Sequence, residues 1–274
     1  MMDMIKKNKL LLGYAAIAVL VAVALYFALN GAFSTSAKVS VKKILVSSAH
    51  MDEFLESDEL PDFAALVDVK VKKRYFFEFI YRHAEDANDK IAKTADKLSD
   101  LHENKDYASD HDWIVETSIR YKIPTEDSTD AELIARLLKR AQPIPPSLVL
   151  AQAANESAWG TSRFATKANN LFGQWCFSKG CGLVPKQRND GATHEVRVFD
   201  SPAKSVAGYI HNLNTSNAYK GLRDIRAKNK DADGVDLAAG LKSYSERGDE
   251  YVKEIRGMIN FNKLGVYDDR YTAE

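Results

Sequence analysis

Apolar positions in this 274-residue chain follow three patterns: one unbroken run, several stretches recurring every three or four residues, and one stretch broken up by glycine. The unbroken run is Leu10 to Leu29, twenty residues without a charge. As a helix rising about 1.5 Å per residue it reaches about 30 Å, one hydrocarbon core. Recurrence at three and four begins at Val71 and predicts a helix to about Leu101, with Phe76, Phe79, Ile80, His83, Ala87, Ile91, Ala95 and Leu98 on its apolar face. Further helices are predicted over Asp110–Tyr121, Thr129–Ala141, Leu148–Ala158, Pro202–Leu213, Lys220–Ala227, Leu237–Lys242 and Asp249–Ile259. Thr129 with Glu132 has capping-box spacing, Pro145 and Pro146 suit a helix entry, and Gly160 suits a stop. The glycine-punctuated stretch predicts a β-hairpin: Leu183–Arg188 out, Asn189-Asp190-Gly191 as turn, Thr193–Phe199 back. The expected class is α+β and mostly α, with a small β-hairpin lobe, preceded by a helical region that packs on the main domain or forms a stalk, and by an N-terminal transmembrane helix.

Charge adds the orientation of the first segment. Lys6, Lys7 and Lys9 precede it, as at a cytoplasmic end, although Lys38, Lys42 and Lys43 follow soon after. An uncleaved anchor is the expectation. A signal peptide cut near Thr35 to Ala37 is the alternative, with an h-region longer than usual. The resulting division is 1–9 cytoplasmic tail, 10–29 membrane anchor, 30–70 tether, 71–124 helical region and 125–274 main domain, outside the inner membrane in the periplasm. The 38 basic and 38 acidic residues cancel and no long single-sign run occurs, which argues against a nucleic-acid partner. The two cysteines, Cys176 and Cys181, predict a small disulfide loop in an exported body. They are too few for a structural zinc site, and neither a metal nor another cofactor is expected. His194-Glu195 lacks the second histidine of a zinc-protease motif.

The candidate chemistry lies at the end of the apolar helix that follows Pro145. Glu156 stands near the C-terminus of PPSLVLAQAANES, where the helix dipole disfavours an anion. Apolar neighbours such as Trp159 and Phe164 would desolvate it as well. Both effects keep a carboxyl protonated near neutral pH, the state required of a glycosidic general acid. Read without that chemistry, Glu156 is a surface residue on the helix's wet face.

The residues NESAWGTSRFA, NNLFG, NLFGQWCF, GCGLVPKQR, THEVRVFDS and YSERGDEYVKEIR together resemble the Bax-type members of the bacterial glucosaminidase family, glycoside hydrolase family 73. The likeness runs from Pro145 to about Ile259 and more faintly over Val71 to Ile91. It implies a lysozyme-like fold and hydrolysis of the β-1,4 bond between N-acetylglucosamine and N-acetylmuramic acid, with peptidoglycan glycan strands as partner. The family acid maps onto Glu156 of Glu156-Ser157-Ala158-Trp159-Gly160. A family tyrosine maps onto Tyr244, and Tyr219 occupies another position near the cleft. Relatives often carry a second carboxylate on the first strand of the β lobe, where this chain reads Pro185-Lys186-Gln187-Arg188; the nearest acids are Asp190 and Glu195. Two routes stay open for the far face of the sugar: Glu195 acting as base through water, or the substrate's acetamido oxygen oriented by Tyr244. Trp159, Trp175 and Phe172 are candidates for sugar stacking against a default of packing, and Gly173 for close approach of the glycan. A lytic transglycosylase and a non-catalytic membrane-anchored glycan-binding scaffold are the alternative functions.

Overall fold

The structure, a computed structural model, describes residues 57–186, 188 and 191–273. The anchor expected at residues 10–29, most of the tether and the turn residues Asn189 and Asp190 lie outside them. Among the described residues no helix is long and apolar enough to cross a membrane.

Helix α1, Val69–Asn104, is the longest element. Asp68 starts it by accepting hydrogen bonds from the amides of Lys70 and Val71, and Lys105 ends it in the left-handed conformation. Its buried face carries Phe76, Phe79, Ile80, His83, Ala87, Ala95 and Leu98, as the periodicity predicts. Far from being a stalk, α1 packs along α3 (Asp130–Arg140), α4 (Pro146–Ser157) and α6 (Pro202–Thr215). Its distal end shares a core with α2 (His111–Arg120) and α3, built from Leu98, Leu101, Ile114, Leu133, Ile134 and Leu137. Thr129 and Glu132 form the predicted capping box at the head of α3.

Helix α4 is the axis of the body. Every residue from Pro146 to Ala154 is buried, so no face of its first turns is wet, the pattern of a core helix. The amide and hydroxyl of Ser147 donate to Asp268, 2.7 and 2.6 Å away on α10 (Gly265–Ala273). That C-terminal helix is absent from the sequence reading, because none of its residues is buried and no apolar stripe marks it. The short α5, Arg163–Ala168, also went unpredicted at six residues.

The β lobe is smaller than expected and has three strands. β1 (Trp175–Cys176), β2 (Gly182–Leu183) and β3 (Glu195–Arg197) form an antiparallel sheet in the order β1-β3-β2. β2 and β3 are the predicted hairpin partners, with Leu183 opposite Val196. β1 joins the other edge of β3 because the Cys176–Cys181 disulfide folds residues 177–180 back beside it. The remaining helices, α7 (Lys220–Lys228), the single turn α8 (Gly234–Leu237) and α9 (Asp249–Phe261), close the body. A 3₁₀ turn, Ala238–Leu241, continues α8 where one helix was predicted from Leu237.

Asn88, fully buried on α1, donates to the carbonyl of Ile144 at 2.8 Å and accepts from its amide at 3.0 Å. These two bonds tie α1 to the segment that launches α4. Asn88→Ala would leave both Ile144 groups unsatisfied in the core. We expect a loss of about 3 kcal/mol, read as a melting temperature lower by roughly 6–12 °C in calorimetry.

Candidate active site

Glu156 is the penultimate residue of α4, where the helix leaves the core. The chain then takes three successive left-handed residues, Ala158 (φ 49°), Trp159 (φ 59°) and Gly160 (φ 75°). Only the last is a glycine, so the left-handed turn begins two residues before it, at a cost of about 1–2 kcal/mol per non-glycine position. The following contacts hold that turn. Ser157 Oγ donates to the carbonyl of Ala153 at 2.6 Å and accepts from the amide of Gly160 at 2.8 Å. The Trp159 ring meets Phe76 and Phe77 edge-on, with centroids 5.7 and 5.2 Å away, and Lys73 Nζ lies 4.8 Å from its centre. A side chain at Gly160 would run into Phe63, whose Cδ2 lies 2.6 Å from where a Cβ would stand. The Ser, Trp and Gly of the motif thus fix where the acid points, and Trp159 packs against α1.

The acid's surroundings are tyrosines. Tyr251 Oη donates to Glu156 Oε1 at 2.7 Å, and Asn155 Nδ2 lies 3.3 Å from the same oxygen. Tyr244 stacks on Tyr251 with ring planes 3° apart and centroids 5.4 Å apart. Its hydroxyl donates to the carbonyl of Phe172 at 2.7 Å. Tyr219 lies 6.0 Å from Tyr244, centroid to centroid, with its phenol pushed up to about 12 by burial and by the charge of Glu156. Burial lifts the Glu156 carboxyl above the ordinary glutamate range; the hydrogen bonds from Tyr251 and Asn155 oppose this, Glu254's charge adds to it and Arg247's subtracts. Tyr251 was missed in sequence, although it lies in YSERGDEYVKEIR.

The turn after α5 joins the acid to the β lobe. Asn170 is buried, and its amide group donates to the carbonyls of Gln174 and Arg197 and accepts from the amides of Phe172 and Gln174. Phe172 is 1% exposed and stacks on Tyr209 at 4.0 Å, so its ring is core, while its carbonyl holds Tyr244. Gly173 has φ 64° and nothing within 4 Å of a Cβ position, leaving open space above the backbone. Two residues on, Trp175 is 57% exposed and stacks on His194 at 4.0 Å.

Glu195 is committed elsewhere. Its two carboxylate oxygens accept from the amides of Gly180 (3.0 Å) and Gly182 (2.8 Å), and these bonds hold its carboxyl below the usual range. It pins the loop closed by Cys176–Cys181. Both sulfurs are spent on the disulfide, which leaves the neighbouring carboxylate without thiolate partners for a cation. A cavity of about 820 Å³ opens at the opposite end of α4, beside Pro145, Arg226 and Asp268, and contains none of the acid's partners.

The raised carboxyl makes a stability prediction. Folded, Glu156 holds its proton more tightly than unfolded; its penalty is therefore absent below the unfolded value and grows as pH rises through the folded one. Glu156→Gln removes that penalty. We expect the variant to melt above the parent at about pH 8, with the gap closing toward about pH 4, in paired thermal scans.

Residues 132–264 match the family described as mannosyl-glycoprotein endo-beta-N-acetylglucosaminidase. Protein bax of Escherichia coli (strain K12) is 30% identical over 215 residues, 76% of this chain and 76% of that protein. No solved structure matches. The matched span contains the acid, its locked turn, the Asn170 loop and the tyrosine cluster, and the bax likeness extends over three quarters of the chain: the protein belongs to the glucosaminidase family, in its Bax-type branch.

Proposed function

We propose that the protein is a peptidoglycan hydrolase of the endo-β-N-acetylglucosaminidase type. It cleaves the β-1,4 bond between N-acetylglucosamine and N-acetylmuramic acid, with Glu156 protonating the leaving oxygen. The observation that carries this reading is the desolvated Glu156 carboxyl, held at a helix end by a tyrosine hydrogen bond on one oxygen only. Burial moves its pKa upward, the direction a general acid needs, and the carboxyl can release its proton once a glycosidic oxygen is presented to it. Family membership supports the substrate class. We place the body in the periplasm, anchored through residues 10–29.

For the far face of the sugar, the substrate's own acetamido oxygen is the better candidate. Both oxygens of Glu195 already accept backbone amides, and a base so engaged is a weak one. Tyr244 then acts through the backbone: its hydroxyl holds the Phe172 carbonyl and so sets the Gly173 surface on which a glycan would lie. Trp175, exposed at the edge of the sheet, offers a stacking face for a more distant sugar. Tyr219 closes the wall behind Tyr244.

Closure to a 1,6-anhydro end, which asks for one acid only, is the second reading. Product masses separate the two, since hydrolysis adds a water. Purified sacculi incubated with the full-length protein should yield reducing ends carrying that water, and Glu156→Gln should yield none above background. Binding of sacculi by the parent without release of any product would instead make it a glycan-binding scaffold. Glu195→Gln separates base from loop support. We expect it to keep at least about a tenth of the parent rate, whereas loss of a general base costs about 10²–10⁴-fold.

A further inference from the structure

Gln152 and Glu156 stand four residues apart on α4 and so share one face. Gln152 is a fully buried polar side chain in an otherwise apolar run, and it has two tyrosine partners. Tyr209 Oη donates to Gln152 Oε1, Gln152 Nε2 donates to Tyr251 Oη at 2.7 Å, and Tyr251 Oη donates to Glu156 Oε1 at 2.7 Å. The chain ends there: among the described residues, Tyr209 Oη has no other hydrogen-bond partner.

Its direction follows from donor chemistry. An ionised Glu156 only accepts, so Tyr251 must give it the phenolic proton. The Tyr251 oxygen is then free to accept, and the Gln152 amide NH₂ supplies the donor. That leaves the Gln152 carbonyl facing Tyr209, which donates. Reversal would take from the Tyr209 proton the one acceptor it has among the described residues, the costly side of hydrogen bonding. Glu156 Oε2, by contrast, has no hydrogen-bond partner among the described residues and is not among their buried orphan atoms, so it is open to solvent there.

We propose that Tyr209, Gln152 and Tyr251 form a one-way positioning relay that keeps Glu156 Oε1 a permanent acceptor and confines the acid's proton to Oε2, the oxygen open to substrate. Tyr209 sets the direction, Gln152 transmits it, and neither touches a reacting atom. Its catalytic consequence rests on Glu156 being the acid; the hydrogen-bond direction does not. Once Oε2 has given its proton away, the same Tyr251 bond steadies the carboxylate that remains.

The test is a carbon-13 titration of full-length protein labelled at the glutamate carboxyls, with the Glu156 signal assigned by its loss in Glu156→Gln. The parent should titrate above ordinary glutamate. Tyr251→Phe should move the midpoint up by about one pH unit, because the anion loses its donor. Gln152→Met should move it up by less, through a weaker Tyr251 donor. Tyr209→Phe keeps the ring but permits the reverse arrangement, which only the protonated acid can use, so its midpoint should also rise. The alkaline limb of kcat/KM on sacculi should shift in the same order, with KM little changed. A shift in Tyr251→Phe with both Gln152→Met and Tyr209→Phe unmoved would overturn the relay and leave only a local contact. Ordered shifts in a parent that releases no product would keep the relay and overturn the proposed hydrolysis. Should Gln152→Met fail to fold, Tyr209→Phe alone decides.

Discussion

Helix α4 is buried on every side through its first turns and must still deliver one ionisable group to the surface at its last. The rest of the structure answers that constraint. A carboxyl at a helix C-terminus is opposed by the dipole and by desolvation, and it is held there only because the chain beyond it is over-determined. Ser157 bonds back to the helix and forward to Gly160, Trp159 is seated on Phe76 and Phe77, and Phe63 fills the space a larger residue than glycine would need. Long helix α1 supplies most of that seating, so the N-terminal part of the body belongs to the site as much as to the core.

The same logic extends into the β lobe. Three strands of two or three residues could not stand alone in water. Here a disulfide, a carboxylate on two amides and the Asn170 side chain substitute for sheet length. The tyrosine stack then joins lobe to helix: Phe172 carbonyl to Tyr244 hydroxyl, Tyr244 ring to Tyr251 ring, Tyr251 hydroxyl to the acid. The groups that shape the candidate site are thus mostly neutral phenols, which surround a carboxyl without offering it a counter-charge.

Much of this was legible from the chain. The period of α1, the capping box of α3, the proline entry of α4, the hairpin partners and the disulfide loop all follow from local chemistry, and the structure agrees with them. What was not legible depends on contacts distant in sequence. Helix α10 has no apolar stripe, because it holds the body through Asp268 on Ser147, a bond spanning 121 residues. The end of α4 was legible to within a residue, but not the left-handed turn beyond it, where Trp159 is seated on Phe76 and Phe77 of α1. How Glu195 is held could not be read, because nothing in sequence shows two amides folding back onto it. Gln152 and Tyr251 were passed over, though a glutamine one turn before the acid in an apolar helix was a visible signal.

The most direct test is a crystal structure of the Glu156→Gln protein bound to a peptidoglycan fragment long enough to cross the site. The account predicts a glycosidic oxygen within hydrogen-bond distance of the outer side-chain atom at position 156, with the sugars lying over Gly173 and toward Trp175. A fragment bound elsewhere, with position 156 facing bulk water and no glycan near the tyrosine stack, would contradict it.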